Sequence, residues 1–283
     1  KFFDREGNTL VLRPDMTPSI ARVATTLYDT EKLPIRLCYK GNTFINHLSY
    51  RGRMHETPQA GVELIGIDTV EADAEMVVMA VESLKETGLQ EFQIHIGSVE
   101  FFESMIAETK LEKEDEFRLR ELISNRNSFG VDDLLNQAQA QPTTKAAFQM
   151  MPDLIGGEEV LKQAKLVALN AKAVAAIKRL EELYQLLVAY GVEKHITFDL
   201  NMSGTYGYYT GIIFCGYTYG TGDAIVKGGR YDHLLEKFGN PSPSIGFVIV
   251  VDELMNAFAR QKLEIPCKSK NTFLLYEENR QAE

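Results

Sequence analysis

Two groups of strand-like runs stand on either side of a long, charged, helix-patterned stretch, and this order limits the fold more than any other feature of the chain. Phe2 to Leu12 reads as a hairpin, two apolar runs around a Glu6-Gly7-Asn8 turn. Pro14 and Pro18 bracket a loop, and Ser19 to Tyr28 has helical spacing. Ile35–Phe44 and Gly61–Ile67 read as strands joined by a polar loop, Asn46–Pro58. A pair with so long a connection points to an antiparallel sheet. Ala74, Val77, Val81 and Leu84 fall on one helical face that stops near Gly88. Phe92, Ile94 and Ile96 alternate with Gln93 and His95, as in a half-buried strand.

From Ser98 to Gln149 the pattern is helical and charged, and Met150 to Ala171 is poorly patterned. Val174, Ile177, Leu180, Leu183 and Leu187 then share a helix face ending at Gly191. Strand-like runs follow at Ile196–Met202, Gly211–Tyr217 and Asp223–Val226. Gly246–Val251 is continuously apolar, which fits a central strand, and Asp252–Arg260 is helical. Sheet, inserted helices, then more sheet is an α+β arrangement. No internal repeat or low-complexity tract interrupts it.

The 283 residues allow one large domain or two modest ones. Asp and Glu outnumber Lys and Arg by 40 to 30, and the resulting charge of −10 argues against general nucleic-acid binding. Cys38, Cys215 and Cys267 are far apart and odd in number, so neither a disulfide framework nor a zinc site is expected. That usage fits a reducing, cytoplasmic setting. No apolar run approaches the ~20 residues of a membrane span, and no signal peptide is visible. Both ends read as cut through an element, Lys1 inside a strand-like segment and Thr272–Tyr276 at the start of a new one.

Common chemical motifs are missing. There is no Walker A sequence, and glycines 216, 220 and 222 do not form a GxGxxG, so they read as turn and close-approach residues. The five histidines at 47, 55, 95, 195 and 233 have no metal-ligand spacing. Neither a metal nor a cofactor is expected.

Three other segments are distinctive. The first is Leu12-Arg13-Pro14-Asp15-Met16-Thr17-Pro18. The second runs from Gly52-Arg53-Met54-His55-Glu56 through Gln59 to Gly61-Val62-Glu63-Leu64-Ile65-Gly66. The third is Tyr208-Tyr209-Thr210-Gly211, followed by Gly228-Gly229-Arg230-Tyr231-Asp232 and Ser244-Ile245-Gly246-Phe247. In order and spacing they resemble the histidyl-tRNA synthetases, a class II aminoacyl-tRNA synthetase family. They match its LRPE/DxT segment, motif 2 strand pair, second histidine motif, GGRYD turn and motif 3 strand over most of Lys1 to Arg260. The resemblance implies a mainly antiparallel sheet flanked by helices, with a helical insertion, usually as a homodimer. On that reading residues 1–98 and 173–265 form the two parts of a synthetase-like core. Residues 99–172 are the insertion, and 266–283 are a linker or the start of a further segment.

The departures from the family carry the functional reading. Amino-acid activation builds negative charge on phosphorus, and the synthetases meet it with arginines. Aligned without a gap, the motif 2 arginine falls on Ile45, the arginine that opens the second histidine motif on Gly204, and the motif 3 arginine on Glu253. One charge pair at ~4 Å in an effective dielectric near 20 is worth about 4 kcal/mol, and exchanging attraction for repulsion doubles the loss. Half of that total costs about three orders of magnitude in rate. Adenylation is therefore not expected.

The amino-acid side of the family's pocket is kept. Asp15, Thr17, Gln59, Glu63, Tyr208 and Tyr209 match positions that line the synthetases' histidine site. Gln59 and Glu63, four apart on a strand, face one side. They read either as a histidine site or as inherited scaffold hydrogen-bonded to itself. Arg53 reads as a phosphate or carboxylate contact, or as half of a surface ion pair.

A synthetase fold without its activation arginines resembles the regulatory subunits of ATP phosphoribosyltransferase. That resemblance implies a catalytically silent chain that assembles with the short-form catalytic subunit in the first step of histidine biosynthesis and contributes to feedback by histidine. The alternatives are a divergent histidyl-tRNA synthetase and a non-catalytic tRNA-sensing module.

Overall fold

The structure, a computed structural model, describes residues 1–28, 32–46, 54–204 and 207–265. The chain opens with a small hairpin, β1 (Phe2–Phe3) against β2 (Thr9–Leu10). Helix α1 (Thr17–Leu27) starts two residues before the expected Ser19. Pro18 belongs to its first turn rather than to a loop, because the N–H that proline lacks has no partner there.

Strands β3 (Ile35–Phe44) and β4 (Glu56–Ile65) form a long antiparallel pair. β4 begins five residues before the expected Gly61 and contains Pro58. The next strand pairs with β4 only from Gln59 onward, so Pro58 has a ladder neighbour on one side alone, where proline is tolerated.

Helix α2 (Val70–Glu86) follows. Thr69 caps it, accepting from the Ala72 N–H, and Glu71 and Asp73 in the first turn suit its dipole. Then come β5 (Phe92–Ser98) and helices α3 (Val99–Ala107), α4 (Lys113–Ser124), α5 (Ser128–Gln137) and α6 (Pro142–Met150).

The stretch without a clear pattern is ordered. It holds β6 (Ile155–Gly156) and α7 (Glu159–Val167), and β6 is the last strand of the sheet. An edge strand of two residues is too short to show a period. Helix α8 (Ala171–Ala189) buries Ile177, Leu180, Leu183 and Leu187 as expected. Val174 instead lies 40% exposed, and Ala173 and Ala176 take the inner positions.

The remaining elements are β7 (Ile196–Asp199), β8 (Ile212–Thr218), β9 (Val226–Arg230), β10 (Ser244–Val250) and α9 (Val251–Gln261). β7 stops three residues short of Met202. Gly228-Gly229-Arg230, expected as a turn, is the body of β9, whereas most of Asp223–Val226 precedes that strand. Two adjacent glycines resemble a turn signal. Here they let neighbouring side chains cross β9, since a Cβ on Gly228 would sit 2.7 Å from Phe247 of β10 and one on Gly229 2.8 Å from the Tyr209 ring.

The main sheet runs β3-β4-β10-β9-β8-β5-β7-β6, antiparallel throughout except for β5 with β7. Period-two alternation divides it into two faces. Leu64, Ile94, Phe214 and Ile245 join α2, α3 and α8 in one apolar core, which Leu119, Leu134, Phe148 and Leu161 of the inserted helices extend. The other face carries Glu63, Lys227, Cys215 and His95. No helix among the described residues is long and apolar enough to cross a membrane.

Candidate functional site

The open face of the sheet gathers the residues singled out from the sequence. Asp15 ends the loop before α1, and its Oδ1 accepts the Thr17 N–H at 3.1 Å. Thr17 opens the helix and turns its hydroxyl onto β4, donating to Glu63 Oε1 at 2.8 Å. Tyr231, just after β9, donates to Glu63 Oε2 at 2.6 Å. Tyr208 donates to Asp15 Oδ2 at 2.7 Å, and its ring lies 4.9 Å from that of Tyr209 and 5.8 Å from that of Tyr231.

Gln59 and Glu63 are both buried, and with Asp15, Thr17, Tyr208 and Tyr209 they enclose one space of about 20 Å³. That is room for about one water. The six positions therefore come together, and the carboxylates among them already hold hydroxyl donors. Arg53 lies outside the described residues.

Glu63 is 1% exposed. Burial pushes its carboxyl up to about 7, against the hydroxyls of Tyr231 and Thr17, which favour the charged form, while the Asp15 charge adds to the rise. Burial also raises the Tyr208 and Tyr231 phenols well above their ordinary range.

Gly246 faces Glu63 across the β4–β10 pair. A Cβ there would collide with Glu63 Oε2 and come within 2.5 Å of the Val62 carbonyl oxygen. Gly246→Ala is expected to cost about 1–3 kcal/mol in urea unfolding. Gly222→Ala, where nothing lies within 4 Å of the added carbon, should be near neutral.

Beside this closed space lies a cleft of about 460 Å³. Its walls are the turn between α4 and α5, the segment after β7, and the faces of β8 and β9. Tyr209 and Lys227 border both spaces. Lys227 Nζ pairs with Asp223 at 3.1 Å. Asp199 Oδ1 accepts the Asn201 N–H at 3.0 Å. Both side-chain amide atoms of Asn201 are buried without a partner.

Lys227, Arg126 and Asn201, which line this cleft, are not singled out by sequence reasoning. Lys227 was accessible in principle, since it shares a strand face with Gly229, but only once the register places Gly229 beside Gly246. Among the described residues, no group of three or more His, Cys, Asp and Glu could hold a metal ion.

The family model described as histidyl-tRNA synthetase matches residues 1–254. The ATP phosphoribosyltransferase regulatory subunit of Acetivibrio thermocellus is 40% identical over 278 residues, covering 98% of this chain and 66% of that protein. The protein of the same name from Thermoanaerobacter sp. (strain X514) is 40% identical over 279 residues, covering 99% of this chain and 73% of that one. This chain belongs to the family of ATP phosphoribosyltransferase regulatory subunits, within the histidyl-tRNA synthetase fold. The crystal structure of an ATP phosphoribosyltransferase regulatory subunit/histidyl-tRNA synthetase from Bacillus halodurans C superposes with a TM-score of 0.83 at 33% identity. It covers 90% of this chain and 67% of that chain.

In this chain, the three positions read from the resemblance as lost arginines hold no cation. Ile45 sits at the end of β3, where its backbone N–H donates to the His55 carbonyl at 2.9 Å. Its side chain borders an apolar hollow with Val11 and Leu12. Gly204 has φ +75°, a backbone conformation in which an arginine would be strained. Glu253 lies in the first turn of α9, where the helix dipole favours a negative charge.

Proposed function

We propose that this chain is the regulatory subunit that activates a short-form ATP phosphoribosyltransferase catalytic subunit in the first step of histidine biosynthesis. It contributes to histidine feedback, works in the cytoplasm and has no adenylation activity of its own. One observation carries this reading. The chain has the synthetase fold, while the positions we read as those that would neutralise a developing phosphate charge are an isoleucine, a left-handed glycine and a glutamate. Relatives 40% identical that are named regulatory subunits support it.

Asp15, Thr17, Glu63, Tyr208 and Tyr231 form a self-satisfied scaffold in this reading, and Gln59 and Tyr209 close it. A homodimer is part of the proposal. Phe3 on the N-terminal hairpin and Val11 and Leu12 just after it are 55–72% exposed, apolar surface that self-association would cover.

Reconstitution tests the reading. Mixed with a cognate short-form catalytic subunit, the protein should raise phosphoribosyl-ATP formation well above that of the catalytic subunit alone, and histidine should suppress the gain. Histidine-dependent ATP–pyrophosphate exchange by this chain should be absent. A mixture no more active than the catalytic subunit, or a clear exchange activity, sinks the proposal.

A further inference from the structure

Tyr209 borders a third space besides the closed pocket and the cleft. This is a groove of about 690 Å³ between α3 and the start of α8, within the size range of specific binding sites. Hydrogen bonds fix its shape. Asn170 caps α8 by accepting the Ala173 N–H at 2.9 Å. Its amide nitrogen donates to the Ser104 carbonyl at 2.9 Å and to Glu108 Oε1 at 3.0 Å, which ties α8 to α3. Thr210 donates its N–H to the Arg230 carbonyl and its hydroxyl to Asp232 Oδ2, both at 2.8 Å. The Gly211 carbonyl accepts the Val99 N–H at 2.9 Å. A groove held in this way costs little to order when something enters it.

Val99, Ala107 and Ala171 give the groove apolar lining, and Glu100 and Glu103 of α3, with Glu108 just after it, bring three carboxylates. Lys172 alone among the lining residues is a lysine or arginine. His233 lines the groove too, but its Nδ1 lies 2.6 Å from Glu236. The three carboxylates are not equally engaged. Both oxygens of Glu103 accept from Arg120, and Glu108 holds Asn170. The exposed Glu100 has neither a hydrogen bond nor an ion pair among the described residues.

An anion entering here would meet three carboxylates and one ammonium group. A wholly apolar occupant would cover Glu100 and leave its charge unpaired, which is costly. A carbon stem that ends in a cation avoids both penalties, and lysine and arginine side chains have that form. Tyr209 favours arginine, because a planar guanidinium also stacks on an aromatic ring.

We infer that this groove docks a protein partner through an arginine side chain. The stem lies along Val99, Ala107 and Ala171, and the guanidinium meets Glu100 and the ring of Tyr209. Arginine is a frequent anchor of this kind in protein interfaces. The inference rests on the regulatory reading above for the identity of that partner, the catalytic subunit. Tyr209 also borders the closed pocket, so the docked side chain touches a residue of that pocket.

Calorimetric titration of the whole chain with a cognate short-form catalytic subunit tests it. The unaltered chain should bind, and more weakly as salt is raised. Glu100→Arg, and Ala107→Trp on the exposed end of α3, should each weaken binding at least tenfold while leaving the circular dichroism spectrum and the urea midpoint unchanged. Glu114→Arg makes the same charge change on α4, outside the groove, and should alter binding less than twofold. Lys172→Glu removes the competing cation and should tighten binding at least threefold, a gain that misfolding does not produce.

Tight binding by the unaltered chain that Glu100→Arg, Ala107→Trp and Lys172→Glu all leave unchanged would place the partner elsewhere and overturn the inference. Micromolar binding of spermidine to the chain alone, abolished by Glu100→Arg, would make the groove a site for small cations instead. No binding of the catalytic subunit by the unaltered chain would count against the regulatory reading itself and remove this inference with it.

Discussion

Replacing Arg230 with methionine is expected to lower the unfolding free energy by about 3–5 kcal/mol, the usual cost of breaking a buried ion pair from one side. Arg230 is 1% exposed and Asp73 is completely buried. Alternation along β9 points Arg230 through the sheet toward α2, where its Nε and Nη2 donate to Asp73 Oδ1 at 2.8 and 2.6 Å. Its Nη1 reaches the Ile67 carbonyl at 3.1 Å and Asp232 at 3.2 Å.

The other Asp73 oxygen is held by Arg179 of α8 at 2.7 Å, and Arg179 also reaches Asp68 at 2.8 Å. Burial works against the charge on Arg179, but its bonds and charge pairing with Asp73, then Asp68, outweigh it and raise its pKa. One carboxylate thus ties the sheet to two core helices. In the variant, Asp73 loses two of the three guanidinium hydrogen bonds that meet it in its buried position. Urea unfolding monitored by circular dichroism reads the loss. Arg179→Met should cost less, because the Arg179 side chain is 25% exposed and water can take part of its place. A loss below 1 kcal/mol for Arg230→Met would show that the network is not the clamp described here.

The second large effect is a dependence of stability on pH that comes from one carboxyl group. In the unfolded chain Glu63 titrates near 4.5, whereas in the folded protein it keeps its proton up to about 7. Between these values the folded state binds more protons than the unfolded state, so stability falls as pH rises. The contribution of Glu63 is least unfavourable below pH 4.5 and reaches a penalty of about 3 kcal/mol above pH 7.

Burial sets this value, the Tyr231 and Thr17 hydroxyls work against the rise, and the Asp15 charge adds to it. Glu63→Gln keeps the shape of the side chain and has no proton to lose. The stability difference between variant and parent should therefore favour the variant progressively from pH 5 to pH 8. Half-buried His95 and buried His195 work in the opposite direction. Burial lowers the pKa of His95 and His195, which favours the fold as pH rises, but both are present in the parent and the variant and cancel in the difference. A difference that stays flat across this window would mean Glu63 is ionised in the folded protein throughout.

Much of the architecture was legible because secondary structure leaves a local period. The faces of α2 and α8, the alternation of β5 and the apolar run of β10 could be read from neighbours in the chain. The errors fell where one residue type serves two purposes. Pro18 marks a helix start as readily as a loop, and Gly228-Gly229 permits close packing inside a strand as readily as a turn. Family resemblance brought six pocket residues together by number, and the fold does enclose one space with them.

The sequence by itself determined the α+β class, the helical stretch between two groups of strands, and the family. These follow from residue types and their spacing along the chain. Only the tertiary structure decided that the carboxylates of the old pocket are met by the protein's own hydroxyls. It alone showed that Lys227, Arg126, Asp199 and Asn201 share a cleft, and that Arg230 finds Asp73 across 157 positions of sequence. A hydrogen bond or ion pair depends on ångström-scale placement of groups far apart in the chain, and strand register and helix packing set that placement.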